Sequence, residues 1–89
     1  MQSIDIEIIN KLGLHARAAS KLIAISSRYA CSIHIISGDK RMDAKSIMSV
    51  MMLAASKGTW VTIETDGTDE QQAIDSMCLL INNKFDEEE

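Results

Sequence analysis

The hydrophobic period of this chain switches repeatedly between two residues and about 3.6, so strands and helices must share a single fold. Residues 3–9 alternate, with Ile4, Ile6 and Ile8 on one face and Asp5 and Glu7 on the other, as in a half-buried strand. Asn10-Lys11-Leu12-Gly13-Leu14 breaks that period and reads as a loop. From 16 to 29 the period becomes helical: Ala18, Leu22, Ile25 and Tyr29 make a stripe, with Ala19 and Ile23 beside it. Cys31, Ile33 and Ile35 then share a face across 31–37, Ser37-Gly38-Asp39-Lys40 is a turn signal, and 41–44 is a short returning strand. Ser46 is placed to cap a helix running to about residue 56, with Lys57 in its last turn and Gly58 just past its end. Thr, Val, Ile and Trp make 59–65 a strand, and Asp66-Gly67 turns the chain. Thr68-Asp69-Glu70-Gln71 has capping-box spacing, opening a helix that stacks Ile74, Met77 and Ile81 with Ala73 and Leu80 alongside. Asp86-Glu87-Glu88-Glu89 is a like-charged tail, expected to fray into solvent.

Single-faced strands and one-striped helices both need a partner layer. The order β-α-β-β-α-β-α therefore predicts an α+β open-faced sandwich of two layers, a four-stranded sheet covered on one face by three helices. With 89 residues, 46% of them hydrophobic, the chain can bury one small core but not two, so residues 1–89 are expected to form one domain. Nine basic against thirteen acidic residues give a net charge of −4 with no basic cluster, which argues against sequence-general nucleic-acid binding. No apolar run approaches the roughly 20 residues of a membrane helix. The start lacks the charged and apolar regions of a signal peptide, so the expected compartment is the cytoplasm. Cys31 and Cys78 have neither CxxC nor metal-ligand spacing and read as buried thiols. There is no Gly-rich nucleotide loop, so ATP binding is not expected; no cofactor or metal is indicated either.

Chemistry concentrates at His15, which follows Gly13-Leu14 and immediately precedes a helix. A ring there faces free N–H groups and the positive end of the helix dipole, which disfavour imidazolium and favour an anion. A neutral imidazole nitrogen at such an end suits transient capture of a phosphoryl group, and Arg17 offers a planar fork matched to phosphate oxygens. The plainer account of the same residues is a histidine serving as passive N-cap beside a solvated arginine. His34 is an internal control: it sits mid-strand, with no glycine loop, helix start or nearby arginine, and reads as structural. In the helix opened by Ser46, Ile47, Met48, Met51 and Ala55 cover one arc, and Val50, Leu53 and Ala54 another. A short helix over a sheet buries one arc and leaves the other as an apolar, methionine-rich patch suited to several partners. Periodicity does not choose between the arcs, nor exclude a helix buried on most sides.

Asn10-Lys11-Leu12-Gly13-Leu14-His15-Ala16-Arg17 resembles the active-site signature of the HPr family, the histidine-containing phosphocarriers of the bacterial phosphoenolpyruvate-dependent phosphotransferase system. Lys45-Ser46-Ile47-Met48-Ser49-Val50-Met51-Met52-Leu53 resembles that family's second signature, around its regulatory serine. Ala55-Ser56-Lys57-Gly58-Thr59, and Asp66-Gly67 before an acidic helix start, also fit. One departure is Ala18, where the family usually has proline. Proline there presets φ early in the helix, whereas alanine, an excellent helix former, leaves the helix intact and His15 a little less preset.

The resemblance implies an antiparallel sheet in the order 1-4-2-3. It implies that His15 accepts a phosphoryl group on Nδ1 from phosphorylated enzyme I and donates it to a histidine of an enzyme IIA, with Arg17 on the phosphoryl oxygens. It places Val50 and Leu53 in the core and Ile47, Met48 and Met51 on a docking surface around His15. Ser46 matches the serine modified by HPr kinase/phosphorylase in organisms that have one. Such a protein is a monomeric relay substrate without its own turnover. Two other roles remain open beside the sugar system: a carrier in a nitrogen-related regulatory phosphorelay, and a binding module that is never phosphorylated.

Overall fold

The computed structural model describes residues 1–88. Strands β1 (Gln2–Glu7), β2 (Ser32–Ser37), β3 (Lys40–Asp43) and β4 (Trp60–Asp66) form one antiparallel sheet in the order β1-β4-β2-β3. Helices α1 (Ala16–Ser26), α2 (Ile47–Met52) and α3 (Glu70–Asn82) cover one face: α3 packs on β1 and β4, α2 on β3, and α1 touches both other helices. Among the described residues no helix is long and apolar enough to cross a membrane.

Register explains which side chains meet the helices. Ile4, Ile63, Ile35 and Met42 are successive cross-strand partners, with Ile6 opposite Val61 in the neighbouring row. Ile6, Ile33, Ile35, Val61 and Ile63 are buried in one cluster with Leu22, Val50, Leu53, Ile74, Met77 and Ile81. The alternate positions Asp5, Thr62, Glu64 and His34 lie on the bare face, where Trp60 stands exposed. Period-two alternation thus does what it must when one face is wet. Ile4, expected in the core stripe, stays 42% exposed on the edge strand.

Three local expectations change. Helix α2 stops at Met52, not near residue 56, because Ala54 takes a left-handed φ of 54°. Residues 54 and 55 therefore leave the helical wheel: Ala55 is buried and Ala54 exposed, the reverse of their assigned arcs. Helix α1 ends at Ser26, whose hydroxyl donates to Ala44 O at 2.7 Å, leaving Tyr29 half-buried beyond the helix. The capping box does not form. Asp69 is the N-cap of α3 but makes no side-chain cap bond. Its carboxylate instead accepts the Ala30 and Cys31 backbone N–H groups at 2.8 and 2.9 Å, tying the start of α3 to the entry of β2. The expected buried thiols are reduced; Cys31 is buried and Cys78 half-buried, and burial pushes both thiols up.

Within the acidic terminus Glu87 is docked, while Asp86 and Glu88 are exposed. Phe85, fully buried, anchors a short 3-10 turn, Lys84–Asp86, and Glu87 packs against the His15 loop. Charge repulsion, the reason to expect fraying, is offset because Lys21 and Asn10 supply donors to this segment. Residue 89, the last of that tail, lies outside the described residues.

Candidate functional site

Gly13 shapes the loop that presents His15. Its φ is +64°, and a Cβ there would lie 2.5 Å from Ala55 O and 2.7 Å from Ser56 Cα. Only glycine tolerates both the left-handed backbone and that approach. Leu14 follows, buried, donating its N–H to Ala55 O at 2.8 Å. The loop is thereby pinned to the segment leaving α2, and the next residue is set at the start of α1.

His15 is the N-cap of α1: its φ and ψ are −79° and 178°, and its carbonyl accepts the Ala19 N–H at 2.8 Å. The ring, however, makes no capping bond. It turns instead to the chain terminus, where Nε2 lies 2.7 Å from Glu87 Oε2, with 26% of the His15 side chain exposed. The backbone caps α1 as the plainer account has it, while the ring is committed to Glu87 instead of the helix. No partner meets Nδ1 among the described residues.

Glu87 accepts a second bond, from Asn10 Nδ2 at 2.8 Å, and the same amide donates to Gly13 O at 2.8 Å. The Asn10 donor holds the Glu87 carboxyl below the usual carboxylate range, and the His15 ring and Lys21 act in the same direction. The turn that delivers Glu87 is itself strained: Lys84, Phe85 and Asp86 have φ of 55°, 54° and 62°. Non-glycine residues in the left-handed region cost about 1–3 kcal/mol each and persist where packing over-determines them, as burial of Phe85 does here.

Arg17 projects from the first turn of α1, exposed and unpaired among the described residues. One turn on, Lys21 Nζ donates to Phe85 O at 2.8 Å. With Lys11 and Leu12 from the loop, and Asp86, Glu87 and Glu88 from the terminus, these two line an open cleft of about 390 Å³. Lys21 and Glu87 were not legible as site residues, and Asn10 was legible only as part of the signature, without its bond to Glu87. Lys21 lies one helical turn after Arg17, a usable signal in hindsight, but nothing local links residue 87 to residue 15.

His34 does have an arginine neighbour, contrary to expectation: Arg41 Nη2 stands 3.5 Å from its Nδ1, brought there by strand pairing. That guanidinium is engaged by Glu64 at 3.0 Å, and the pair sits on the bare sheet face away from any helix start. Ser46 caps α2, its Oγ accepting the Ser49 N–H at 3.3 Å. Val50 and Leu53 are buried, while Ile47, Met48 and Met51 are exposed, together with Met52 and Leu12, which sequence reasoning had not placed there.

Comparison with known proteins follows this geometry. The family described as PTS HPr component phosphorylation site matches residues 2–83. The phosphocarrier protein HPr of Pseudomonas aeruginosa is 49% identical over the full length of both chains. The phosphocarrier protein NPr of Shewanella violacea is 42% identical, covering 93% of this chain and 91% of that one. The crystal structure of HPr from Thermoanaerobacter tengcongensis superposes with a TM-score of 0.96 at 40% identity, covering all of both chains. A glycine-set loop, a histidine at a helix start and an unpaired arginine two residues on thus occur in a chain that belongs to the HPr family of phosphotransferase-system phosphocarriers.

Proposed function

We propose that His15 accepts a phosphoryl group on Nδ1 from phosphorylated enzyme I and passes it to a histidine of an enzyme IIA in the phosphoenolpyruvate-dependent sugar phosphotransferase system. The observation that carries this reading is the His15 ring itself, partly exposed at a helix start with Nδ1 uncommitted among the described residues. Arg17, exposed and unpaired there, supplies a bidentate cation for the phosphoryl oxygens. The site is shallow, which suits a carrier: a phosphoramidate must be held without being hydrolysed, and the carboxylate that meets the ring, Glu87, is already engaged by Asn10 and His15 Nε2. The chain is then a relay substrate in the cytoplasm, acting as a monomer and without turnover of its own.

Ile47, Met48 and Met51 form the docking surface in this reading. They share α2, whose exit is bonded to the His15 loop through Leu14 and Ala55. Ser46 at the head of that helix is the candidate for modification by an HPr kinase/phosphorylase. Incubation with phosphoenolpyruvate and enzyme I, followed by mass analysis, tests the core of the proposal. One acid-labile, base-stable phosphoryl group is expected, lost in His15→Ala and retained in His34→Ala.

The likeness to an NPr protein favours a second reading, in which the same chemistry serves a nitrogen-related regulatory relay. Parallel transfer assays to a sugar-specific and to a nitrogen-branch enzyme IIA separate the two.

A further inference from the structure

Asn10, Glu87 and His15 form a line of hydrogen bonds that converges on one carboxylate. Glu87 Oε1 accepts from Asn10 Nδ2 at 2.8 Å, and Oε2 lies 2.7 Å from His15 Nε2. We propose that Glu87, oriented by Asn10, is a positioning residue that fixes the neutral His15 ring as its Nε2–H tautomer and thereby assigns the phosphoryl group to Nδ1. This inference rests on the phosphocarrier reading above.

An ionised carboxylate has no proton to give, so the short contact to Nε2 requires the proton to be on the ring. In a neutral imidazole the other nitrogen then holds the in-plane lone pair. Nδ1 is that nitrogen, and it has no competing partner among the described residues. A proton on Nδ1 instead would set the Nε2 lone pair against a carboxylate.

The carboxylate is held in its pose from three sides. Asn10 is fully buried, and its amide donates both to Gly13 O at 2.8 Å and to Glu87. Turning that amide over would put Oδ1 against two acceptors. Glu87 N–H donates to Lys84 O at 2.9 Å, closing the left-handed turn, and Lys21 Nζ clamps Phe85 O at 2.8 Å. A strained turn around a buried phenylalanine thus delivers one side chain to one ring nitrogen.

In the transfer step the Nδ1 lone pair forms a bond to the phosphorus of the donor's phosphohistidine. The donor N–P bond breaks, its electron pair returning to the donor ring. The His15 ring then bears phosphorus on Nδ1 and hydrogen on Nε2, hence a positive charge, and Glu87 is its counter-ion. Donation onward runs the same exchange in reverse and needs no other reactant.

The experiment uses the full chain labelled with nitrogen-15. Long-range proton–nitrogen spectra of the neutral, unphosphorylated ring report which nitrogen carries hydrogen. Wild type is expected to carry it on Nε2. In Glu87→Gln, Asn10 still donates into the new side-chain carbonyl, so the new amide turns its NH₂ toward the ring and the proton moves to Nδ1. Glu87→Ala is expected to give a mixture of tautomers. Transfer from phosphorylated enzyme I should slow by about tenfold or more in Glu87→Gln, the scale set by one charge-assisted hydrogen bond. A Glu87→Gln protein that keeps hydrogen on Nε2, or that transfers at the wild-type rate, overturns the proposal. Failure of wild-type His15 to accept phosphoryl at all overturns the phosphocarrier reading instead, whatever the ring spectra show.

Discussion

Leu14 donates its backbone N–H to the carbonyl of Ala55 at 2.8 Å, so the loop that presents His15 and the segment leaving α2 are one hydrogen-bonded unit. The first signature therefore meets, in space, the stretch Ala55-Ser56-Lys57-Gly58-Thr59 that follows the second.

Gly13→Ala tests that join. The left-handed φ alone costs about 1–2 kcal/mol for a residue with a Cβ. The new methyl would also lie 2.5 Å from Ala55 O, and backbone has little room to give. A loss of about 2–4 kcal/mol in chemical unfolding is expected, in the range of overpacking plus backbone strain. Phosphoryl acceptance should fall in the fraction that remains folded. An unchanged unfolding midpoint would show that the loop relaxes freely.

Arg17→Ala should melt like wild type, since the side chain is exposed and unpaired among the described residues. Transfer from enzyme I should drop sharply as the bidentate fork is lost. Arg17→Lys is expected to recover only part of the rate, because it supplies charge without planar geometry. Equal rates in wild type and Arg17→Ala would remove the arginine from the mechanism.

Met48→Ser with Met51→Ser should leave stability within about 1 kcal/mol, as surface substitutions do. Met48 is 72% exposed and Met51 44%. Association with enzyme I or enzyme IIA, measured by calorimetry, should weaken. Undiminished affinity would place the docking surface elsewhere.

Ser46→Ala removes a cap whose bond is long, at 3.3 Å, so the lower part of the usual range, about 0.5–1 kcal/mol, is expected. Ser46→Asp keeps an acceptor at the helix start and should hold the melting temperature. It should also slow transfer from enzyme I, because a charge enters beside the apolar patch. Melts and kinetics on one Ser46→Asp sample decide between a cap and a regulatory position.

Acid should loosen the fold through three nameable carboxylates. Asp69 is held below the ordinary range chiefly by the Ala30 N–H, Glu70 chiefly by the Gly67 N–H, and Glu87 chiefly by Asn10. Each binds a proton less readily folded than unfolded, so its stabilisation is complete above the ordinary carboxylate range near pH 4. That stabilisation fades as pH falls through the lower folded values. Asp69→Asn is expected to flatten the fall in stability below about pH 5. A parallel curve for wild type and Asp69→Asn would assign acid sensitivity to other groups.

Element order and the choice of buried face were legible because both follow from periodicity, which register and packing must obey. Val50 and Leu53 went inward as the family resemblance placed them, and Ile47, Met48 and Met51 outward. The end of α2 was not legible: good helix formers run on past Met52, and the stop at Ala54 serves the long-range contact between Ala55 and the Gly13 loop. Asp69 looked like part of a capping box because its spacing is local, whereas its actual partners are 39 and 38 residues away. Glu87 was hidden for the same reason, being 72 residues from His15 in a run of like charges that reads as solvated.

The bare face of the sheet has a practical consequence for spectroscopy. Trp60, the chain's one tryptophan, stands there 62% exposed, on the sheet face opposite the helices. Its native emission is expected to be close to that of a wet indole, and unfolding leaves it wet. Intrinsic fluorescence is therefore expected to change little on denaturation, or on arrival of a partner at the proposed docking surface. Binding curves will need a dye or an isotope label on the helical side, where the environment does change.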